Sequence, residues 1–238
     1  MEYLFPLIDR QEVAEGTMTF FFDTTGSDYT FKPGQHTDYT LIDPPQTDAE
    51  GNTRTFSFVN LPGEGKIQIA TRMRDTAFKN SLKTIPLGTK VKVKEPMGRM
   101  TLHQDTSKSA VFLIGGIGIT PVMSIIRSIK QSGDRRTFYL FYSNPSQAAA
   151  AFYDELKTLS EADKNFHFIP IFTDTPPANW QGETARIDAA MIKKHVKNPT
   201  QCVFYSSGPP AMVSAMINLA EELGLPEEQI KSEDFSGY

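Results

Sequence analysis

The chain has 238 residues, enough for one or two domains, and two modest domains fit its pattern best. With 24 basic and 28 acidic residues it carries a net charge of −4 and has no Lys/Arg cluster, so binding to nucleic-acid phosphates is not expected. Its one cysteine, Cys202, excludes an internal disulfide framework and an iron–sulfur cluster held by this chain alone, and its four scattered histidines show no metal-site spacing.

The first part of the chain, to about residue 105, carries the signals of β-strands. Short runs rich in Val, Ile, Thr, Phe and Tyr alternate with turn clusters such as KPGQ and LPGEG, which is typical of an antiparallel barrel or sandwich. One helix is predicted at about Thr76–Thr84, because Phe78 and Leu82 lie four residues apart on one helical face. The predicted strands are Met18–Phe22, Thr37–Leu41, Thr55–Val59, Lys66–Thr71 and Val91–Lys94.

From about Lys108 apolar strands alternate with helices, which predicts a parallel sheet covered on both faces. The polar stretch His103–Ser109 suggests a division into an all-β domain, residues 1–105, and an α/β domain, residues 106–238. Strands are expected at Ala110–Ile114, Thr137–Tyr142, Phe166–Phe172, Cys202–Ser206 and near Ile230. A helix that follows the first of these strands has Val122, Ile125, Ile126 and Ile129 inward and is closed by Gly133, and further helices are expected at Gln147–Leu159, Asp188–Val196 and Ala211–Leu223.

The sequence also predicts where the protein acts. The first residues contain no basic leader and no apolar core of signal-peptide length. The longest nearly apolar run, Ala110 to Met123, is too short and too interrupted by glycine to span a bilayer. We therefore expect a cytoplasmic protein that does not insert into membranes.

Two glycine-containing loops each follow a predicted apolar strand and open a helix. In Gly115–Pro121, glycines let backbone N–H groups approach a phosphate, and Pro121 suits the first helical turn. Ser206–Pro210 has the same arrangement, and ligands bind at the carboxyl ends of strands in open parallel sheets. Each loop could equally be a plain strand-to-helix turn, and the first departs from the GxGxxG fingerprint.

Two further segments could carry chemistry. In Arg54-Thr55-Phe56-Ser57 a strand offers a guanidinium for phosphate, a flat apolar ring and a small hydroxyl, with Arg54 and Phe56 on one face. The same pattern also describes an ordinary strand with an exposed Arg and a core Phe. The second segment is the C-terminus, which ends in an aromatic residue, Tyr238. This residue could take part in the chemistry, or the terminus could be frayed or cover the surface as a plug.

Together these segments resemble the ferredoxin–NADP reductase superfamily of flavin-dependent NAD(P)H oxidoreductases, over nearly the whole chain. The flavin motif Arg-x-Tyr-(Ser/Thr) of that family reads Arg54–Ser57 here, and the nucleotide loop Gly-x-Gly-Ile-(Ala/Thr)-Pro reads Gly116–Pro121. The family's Cys-Gly-Pro-Pro reads Ser207–Pro210. Pro33-Gly34-Gln35 and Pro96-Met97-Gly98 match the segments before and after the flavin motif.

The resemblance implies an antiparallel flavin-binding barrel followed by a nicotinamide-nucleotide domain. It also implies roles for single residues: Arg54 on the flavin phosphate, Phe56 stacked on the flavin ring, and Ser57 beside the atom that receives hydride. Further expected flavin contacts are Thr55, Thr71, Arg72, Met73, Ala77, Phe78, Lys79 and the terminal Tyr238, with Ser57 and Tyr238 at the reacting ring. The expected nucleotide contacts are Gly116, Gly118, Thr120, Pro121, Ser207, Gly208, Pro209 and Pro210.

The implied activity is electron transfer from a nicotinamide dinucleotide through FAD to a separate protein acceptor such as a ferredoxin. FAD is favoured over FMN by the helix at Ala77–Leu82 and the terminal aromatic. NADH is slightly favoured over NADPH, because Ser143–Ser146 offers no cation to a 2′-phosphate. Phe56, where the family usually has Tyr, leaves open a flavin reductase that uses free flavin as substrate. A non-catalytic flavin or nucleotide subunit is the third alternative.

Overall fold

The structure is a computed structural model that describes residues 1–235. It contains two compact units. The first consists of Met1–Leu102 together with Thr120–Gln131, and the second of His103–Ile119 together with the chain from Ser132 onward. Helix α2 (Ile119–Ser132) thus belongs to the first unit for most of its length, although it follows a strand of the second.

The first unit contains a six-stranded antiparallel sheet with the strand order β4-β3-β6-β1-β2-β5. This confirms the predicted fold class of an all-β domain before an α/β domain. The strands are β1 (Glu2–Ala14), β2 (Thr17–Asp23), β3 (His36–Leu41), β4 (Thr53–Ser57), β5 (Lys66–Arg72) and β6 (Lys90–Lys94).

Along strands such as β6, buried apolar residues alternate with exposed polar residues, and the buried residues form the interior of the first unit. In β6 the valines Val91 and Val93 are buried, whereas the three lysines between and beside them are exposed. Inward residues of all six strands meet in one aromatic-rich core. The sequence pattern does not predict β1, because its exposed Leu4 and Ile8 obscure the alternation that buries Phe5 and Leu7.

The two edge strands of this sheet, β4 and β5, are joined by a seam of hydrogen bonds. The Val59 N–H donates to the Gln68 carbonyl at 2.8 Å. The buried Asn60 side chain accepts from the Gln68 N–H at 2.8 Å and donates to the Lys66 carbonyl at 2.8 Å. The sheet therefore closes into a barrel through an asparagine side chain as well as through main-chain pairing.

Helix α2 covers this seam. The Arg127 guanidinium donates to the Val59 carbonyl and to the Gln68 side-chain oxygen, both at 3.0 Å. The Ser124 hydroxyl donates to the Asn60 carbonyl at 2.7 Å. These contacts satisfy buried carbonyl groups where the strand ladder ends, because such groups are costly to leave without a partner.

Helix α1 (Ala77–Thr84) confirms the predicted helix. The Thr76 side chain caps its first turn by accepting from the Lys79 N–H, and Phe78 and Leu82 are buried as expected. Strand β4, in contrast, lies two residues before the prediction, because Phe58 donates to the Gln35 carbonyl and Val59 to that of Gln68 rather than continuing the ladder.

The second unit contains a five-stranded sheet in the order β11-β10-β7-β8-β9, with every neighbouring pair parallel. Its strands and helices alternate along the chain, as predicted. They are β7 (Ser109–Gly115), β8 (Phe138–Ser146), α3 (Tyr153–Ala162), β9 (Phe166–Thr175), α4 (Ala189–His195), β10 (Cys202–Gly208), α5 (Pro210–Glu222) and β11 (Ile230–Asp234).

Helix α3 begins six residues later than the predicted Gln147. Four alanines favour a helix at this point, but Ala150 and Ala151 are buried in a turn, and Phe152 adopts a left-handed conformation with φ of 61°. Tertiary packing thus overrides local propensity here. None of the helices among residues 1–235 has the length and apolar character needed to cross a membrane.

We expect Asn60→Ala to lower the free energy of unfolding by about 2–3 kcal/mol, because it leaves the Gln68 N–H and the Lys66 carbonyl buried without their partner. Urea denaturation measures the change. The control is Asn80→Ala, which removes one exposed bond to Asp75 and should cost under about 0.5 kcal/mol. Equal effects of the two substitutions would show that the seam contributes nothing special.

Candidate functional site

In the first unit, Arg54 on β4 lies beside helix α1. Its guanidinium carbon lies 5.4 Å from the centre of the Phe78 ring. The same guanidinium forms ion pairs with Glu50 at 2.9 Å and with Asp48 at 3.3 Å. The predicted phosphate-binding arginine thus lies beside the first turn of α1 and forms ion pairs with two carboxylates.

Lys79 adds a second cation to this region. Its ammonium donates to the Arg72 carbonyl at 2.8 Å. Burial, together with the nearby charges of Arg74 and Arg54, lowers the pKa of Lys79 from 10.5 to about 8. Because α1 begins at Ala77, the positive end of the helix dipole lies in the same place, and the combination suits an anion.

Phe56 lies in the barrel core, with only 8% of its surface exposed. Its ring centre is 5.8 Å from that of Phe78 and 5.7 Å from that of Tyr39. Thr55 points to the other face of β4, where its hydroxyl donates to Asp38 at 2.6 Å. The structure therefore groups Arg54, Phe56, Phe78 and Lys79, and separates the Thr55 side chain from them.

Ser57 is the last residue of β4 and is buried, with a relative exposure of 2%. Its hydroxyl forms no hydrogen bond with any part of the chain that the structure describes. A buried hydroxyl without a partner is uncommon in native proteins and favours a ligand contact. The observation fits the role expected of this residue toward a flavin.

The remaining barrel residues of the expected flavin site lie at the end of β5 and just beyond it. Thr71 is buried, Arg72 supplies the carbonyl that binds Lys79, and Met73 donates its N–H to the Gly16 carbonyl at 2.8 Å. The terminal Tyr238, expected at the flavin face, lies outside the described residues.

In the second unit the two glycine loops touch each other. A Cβ atom at Gly118 would lie 2.3 Å from the Ser207 carbonyl oxygen and 2.7 Å from the Gly208 nitrogen. A Cβ atom at Gly208 would in turn lie 3.2 Å from the Gly115 carbonyl oxygen. The structure thus brings together two segments that are almost ninety residues apart in the chain, and both require glycine at the contact.

Both loops open helices, as predicted. After β7 a single 3-10 turn, Gly116–Gly118, leads into α2, so that Thr120 and Pro121 lie in the first helical turn. Pro209 precedes α5 and Pro210 is its first residue. Proline fits these positions because the first N–H groups of a helix have no internal partner.

Buried polar groups without partners surround the glycine loops. The hydroxyls of Ser206 and Ser207 and both amide atoms of Asn144 form no hydrogen bond within residues 1–235. Ser207 pairs in register with Ile114, and Gly115 with Ser143, so these groups lie at the carboxyl ends of three adjacent strands. Such unsatisfied groups favour a polar ligand at this edge of the sheet.

Reasoning from the sequence alone misses Asn144. The segment Ser143–Ser146 stands out in the sequence only for its lack of a cation that could bind a 2′-phosphate. The available signal is a polar residue directly after the apolar strand segment Phe138–Tyr142. Because that position is the carboxyl end of a parallel strand, it could have been assigned to the nucleotide site.

Comparison with known proteins agrees with this geometry. The family of the oxidoreductase NAD-binding domain matches residues 112–217. One subunit of the Na(+)-translocating NADH-quinone reductase of Marinomonas sp. is 33% identical over 155 residues, covering 63% of this chain and 38% of that protein. The corresponding subunit of the Idiomarina loihiensis enzyme is 29% identical over 201 residues, covering 77% of this chain and 49% of that protein.

A solved structure shares the fold of both units. The crystal structure of a ferredoxin NADP+ reductase from Neisseria gonorrhoeae, with bound FAD and NADP, matches with a TM-score of 0.82 at 20% identity over 98% of both chains. The present chain, in contrast, spans about half or less of the length of the two curated relatives.

We expect Gly118→Ala to destabilise the protein by about 1–3 kcal/mol and to weaken its binding of NADH by about tenfold, because the new methyl group collides with the backbone of Ser207. Thermal unfolding and NADH titration measure the two effects. The control is Gly115→Ala, whose methyl group meets side-chain atoms rather than backbone, the flexible end of Met212 and Cδ of Pro209 at 3.3 Å, and should cost less. Wild-type stability and affinity in Gly118→Ala would contradict the assignment.

Proposed function

We propose that the chain is a member of the ferredoxin–NADP reductase superfamily, a flavin-dependent NAD(P)H oxidoreductase that passes electrons through FAD to a separate protein acceptor such as a ferredoxin. The proposal rests above all on the contact of the two glycine loops among partnerless polar groups at the carboxyl edge of a parallel sheet. An oxidoreductase NAD-binding domain covers this region.

The residues of the barrel fit a flavin. Arg54, Lys79 and the first turn of α1 (Ala77, Phe78) offer positive charge and N–H groups to its phosphates. The backbone of Thr71, Arg72 and Met73 would line the ring, Phe56 would contact its face, and the Ser57 hydroxyl would donate to it. When bound, FAD supplies the conversion between two-electron hydride transfer and single-electron delivery.

The two glycine loops and the residues that follow them fit a nicotinamide dinucleotide. Gly116 and Gly118 allow the backbone to approach a pyrophosphate, with Thr120 and Pro121 following in the first turn of α2. Ser207, Gly208, Pro209 and Pro210 would hold the nicotinamide half, and Asn144 would bind polar atoms of the nucleotide. The protein's contribution is to orient two rings and to exclude water.

NADH is the preferred donor in this proposal, since Ser143–Ser146 provides no cation to a 2′-phosphate. The Ser146 hydroxyl accepts a hydrogen bond from the Ala149 N–H at 3.2 Å, and this bond holds the end of the segment in a local turn. The proposal also includes a cytoplasmic location. We also include Tyr238 at the flavin face on the strength of the family resemblance.

A flavin reductase that treats flavin as a substrate is the second candidate. Phe56 at the Tyr position favours it, and so does the pairing of Arg54 with Glu50 and Asp48, which a flavin phosphate would have to displace. A non-catalytic electron-transfer subunit is the third, since the curated relatives are subunits of a larger assembly.

The purified chain tests these candidates. We expect a yellow protein that releases FAD on heating, bleaches when NADH is added anaerobically, and reduces one-electron acceptors faster with NADH than with NADPH. A colourless protein that reduces added flavin supports the flavin reductase. An unchanged spectrum with both NADH and NADPH contradicts a catalytic role.

We expect Ser57→Ala to slow reduction of the bound flavin by about 10–100-fold, because in this proposal the buried hydroxyl, which has no partner among the described residues, donates to the ring. Stopped-flow absorbance with NADH measures the rate. Thermal stability should stay near the wild-type value, since the hydroxyl binds no other described group. A loss of stability with an unchanged rate would assign Ser57 to the core instead.

A further inference from the structure

The guanidinium of Arg54 is held by the loop that precedes β4. One terminal nitrogen contacts the carboxylates of Glu50 at 2.9 Å and Asp48 at 3.3 Å. The other donates to the carbonyl oxygens of Glu50 at 3.1 Å, Gly51 at 2.9 Å and Thr53 at 2.8 Å. Both ends of the fork that would bind a phosphate therefore already face oxygen atoms of this chain.

The loop has an internal structure that holds these oxygens in place. The Asp48 side chain accepts from the Glu50 N–H at 2.9 Å, and the Asp48 carbonyl accepts from the Gly51 N–H at 3.0 Å. Nearer its start, Gln46 forms two hydrogen bonds of 3.3 Å with the Ser81 hydroxyl on α1. The contact with Arg54 is thus built by a defined turn that is attached to the same helix as the anion site.

The contact is also weak enough to be displaced. The Glu50 side chain is 76% exposed whereas that of Arg54 is 20% exposed, and water around the carboxylate screens the ion pair and weakens it. A phosphate group can form two bonds to the arginine fork at once, and such bidentate bonds are stronger than the bond to a single carboxylate oxygen. An anion of that kind can therefore replace Glu50 at Arg54, but only against the competition of a carboxylate that is always present.

We propose that Glu50 and Asp48 are internal competitors for the flavin phosphate at Arg54, so that this loop sets the affinity of phosphorylated flavins. The inference rests on the proposed function, in which Arg54 holds that phosphate. It makes the loop a specificity device: FMN and FAD must displace the carboxylates, whereas riboflavin, which has no phosphate, does not meet them. Weaker binding of the phosphate also speeds the dissociation of bound flavin.

The test is a fluorescence titration of the full chain, freed of flavin, with FAD, FMN and riboflavin. We expect Glu50→Gln to tighten FAD and FMN binding by about threefold, and Glu50→Gln combined with Asp48→Asn by about tenfold. Riboflavin binding should be unchanged in both variants. The dissociation rate of FAD should fall in proportion.

The matched control is Asp43→Asn, which removes the same charge from the same loop at an exposed residue. It should leave all three affinities at the wild-type value, which separates the local contact from the change in net charge. Unchanged or weaker FAD and FMN binding in Glu50→Gln would overturn the inference, and so would an equal gain for riboflavin. Absence of flavin binding by the wild-type chain would overturn the proposed function itself, and the inference with it.

Discussion

The contact between the two glycine loops of the parallel sheet is the constraint on which the candidate nucleotide site depends. At Gly118 no space exists for even one methyl group, because the backbone of Ser207 occupies it. This close approach aligns the N-terminal turn after β7 with the turn after β10 and leaves the hydroxyls of Ser206 and Ser207 without partners among the described residues. The same packing that excludes a side chain at Gly118 thus lies beside buried polar side chains that have no partner among the described residues, and such groups favour a polar ligand.

In the barrel the main feature is a concentration of positive charge next to buried aromatic rings. Arg54, Lys79 and the first turn of α1 concentrate positive charge beside the buried rings of Phe56 and Phe78. Burial, and after it the charges of Arg74 and Arg54, lowers the pKa of Lys79. Carboxylates from the neighbouring loop offset part of the charge. Because these carboxylates already neutralise part of the positive charge, the site can stay folded without a ligand. It can still bind an anion that interacts with Arg54 more strongly than the carboxylates do.

Local patterns predict most of the fold because they reflect local physics. Alternation identifies the barrel strands that have one clearly apolar face, as in β6, but fails for β1, where exposed Leu4 and Ile8 carry the wrong signal. Helix α3 begins late because burial of Ala150 and Ala151 in a turn outweighs the helix propensity of alanine. Such errors arise where a distant contact decides the conformation.

Residue order alone specifies the two kinds of sheet, their succession along the chain, and the segments that open the helices, since strand periodicity, glycine and proline act within a few residues. Only the tertiary structure brings Gly118 into contact with Ser207 and places Asn144 at the same edge of the sheet. It also packs α2 on the barrel seam through Arg127 and pairs Glu50 with Arg54. Except for the pair Glu50 and Arg54, these contacts join residues far apart in the chain. Even that pair depends on the fold of its loop, because an ion pair requires a distance and an orientation that residue types do not specify.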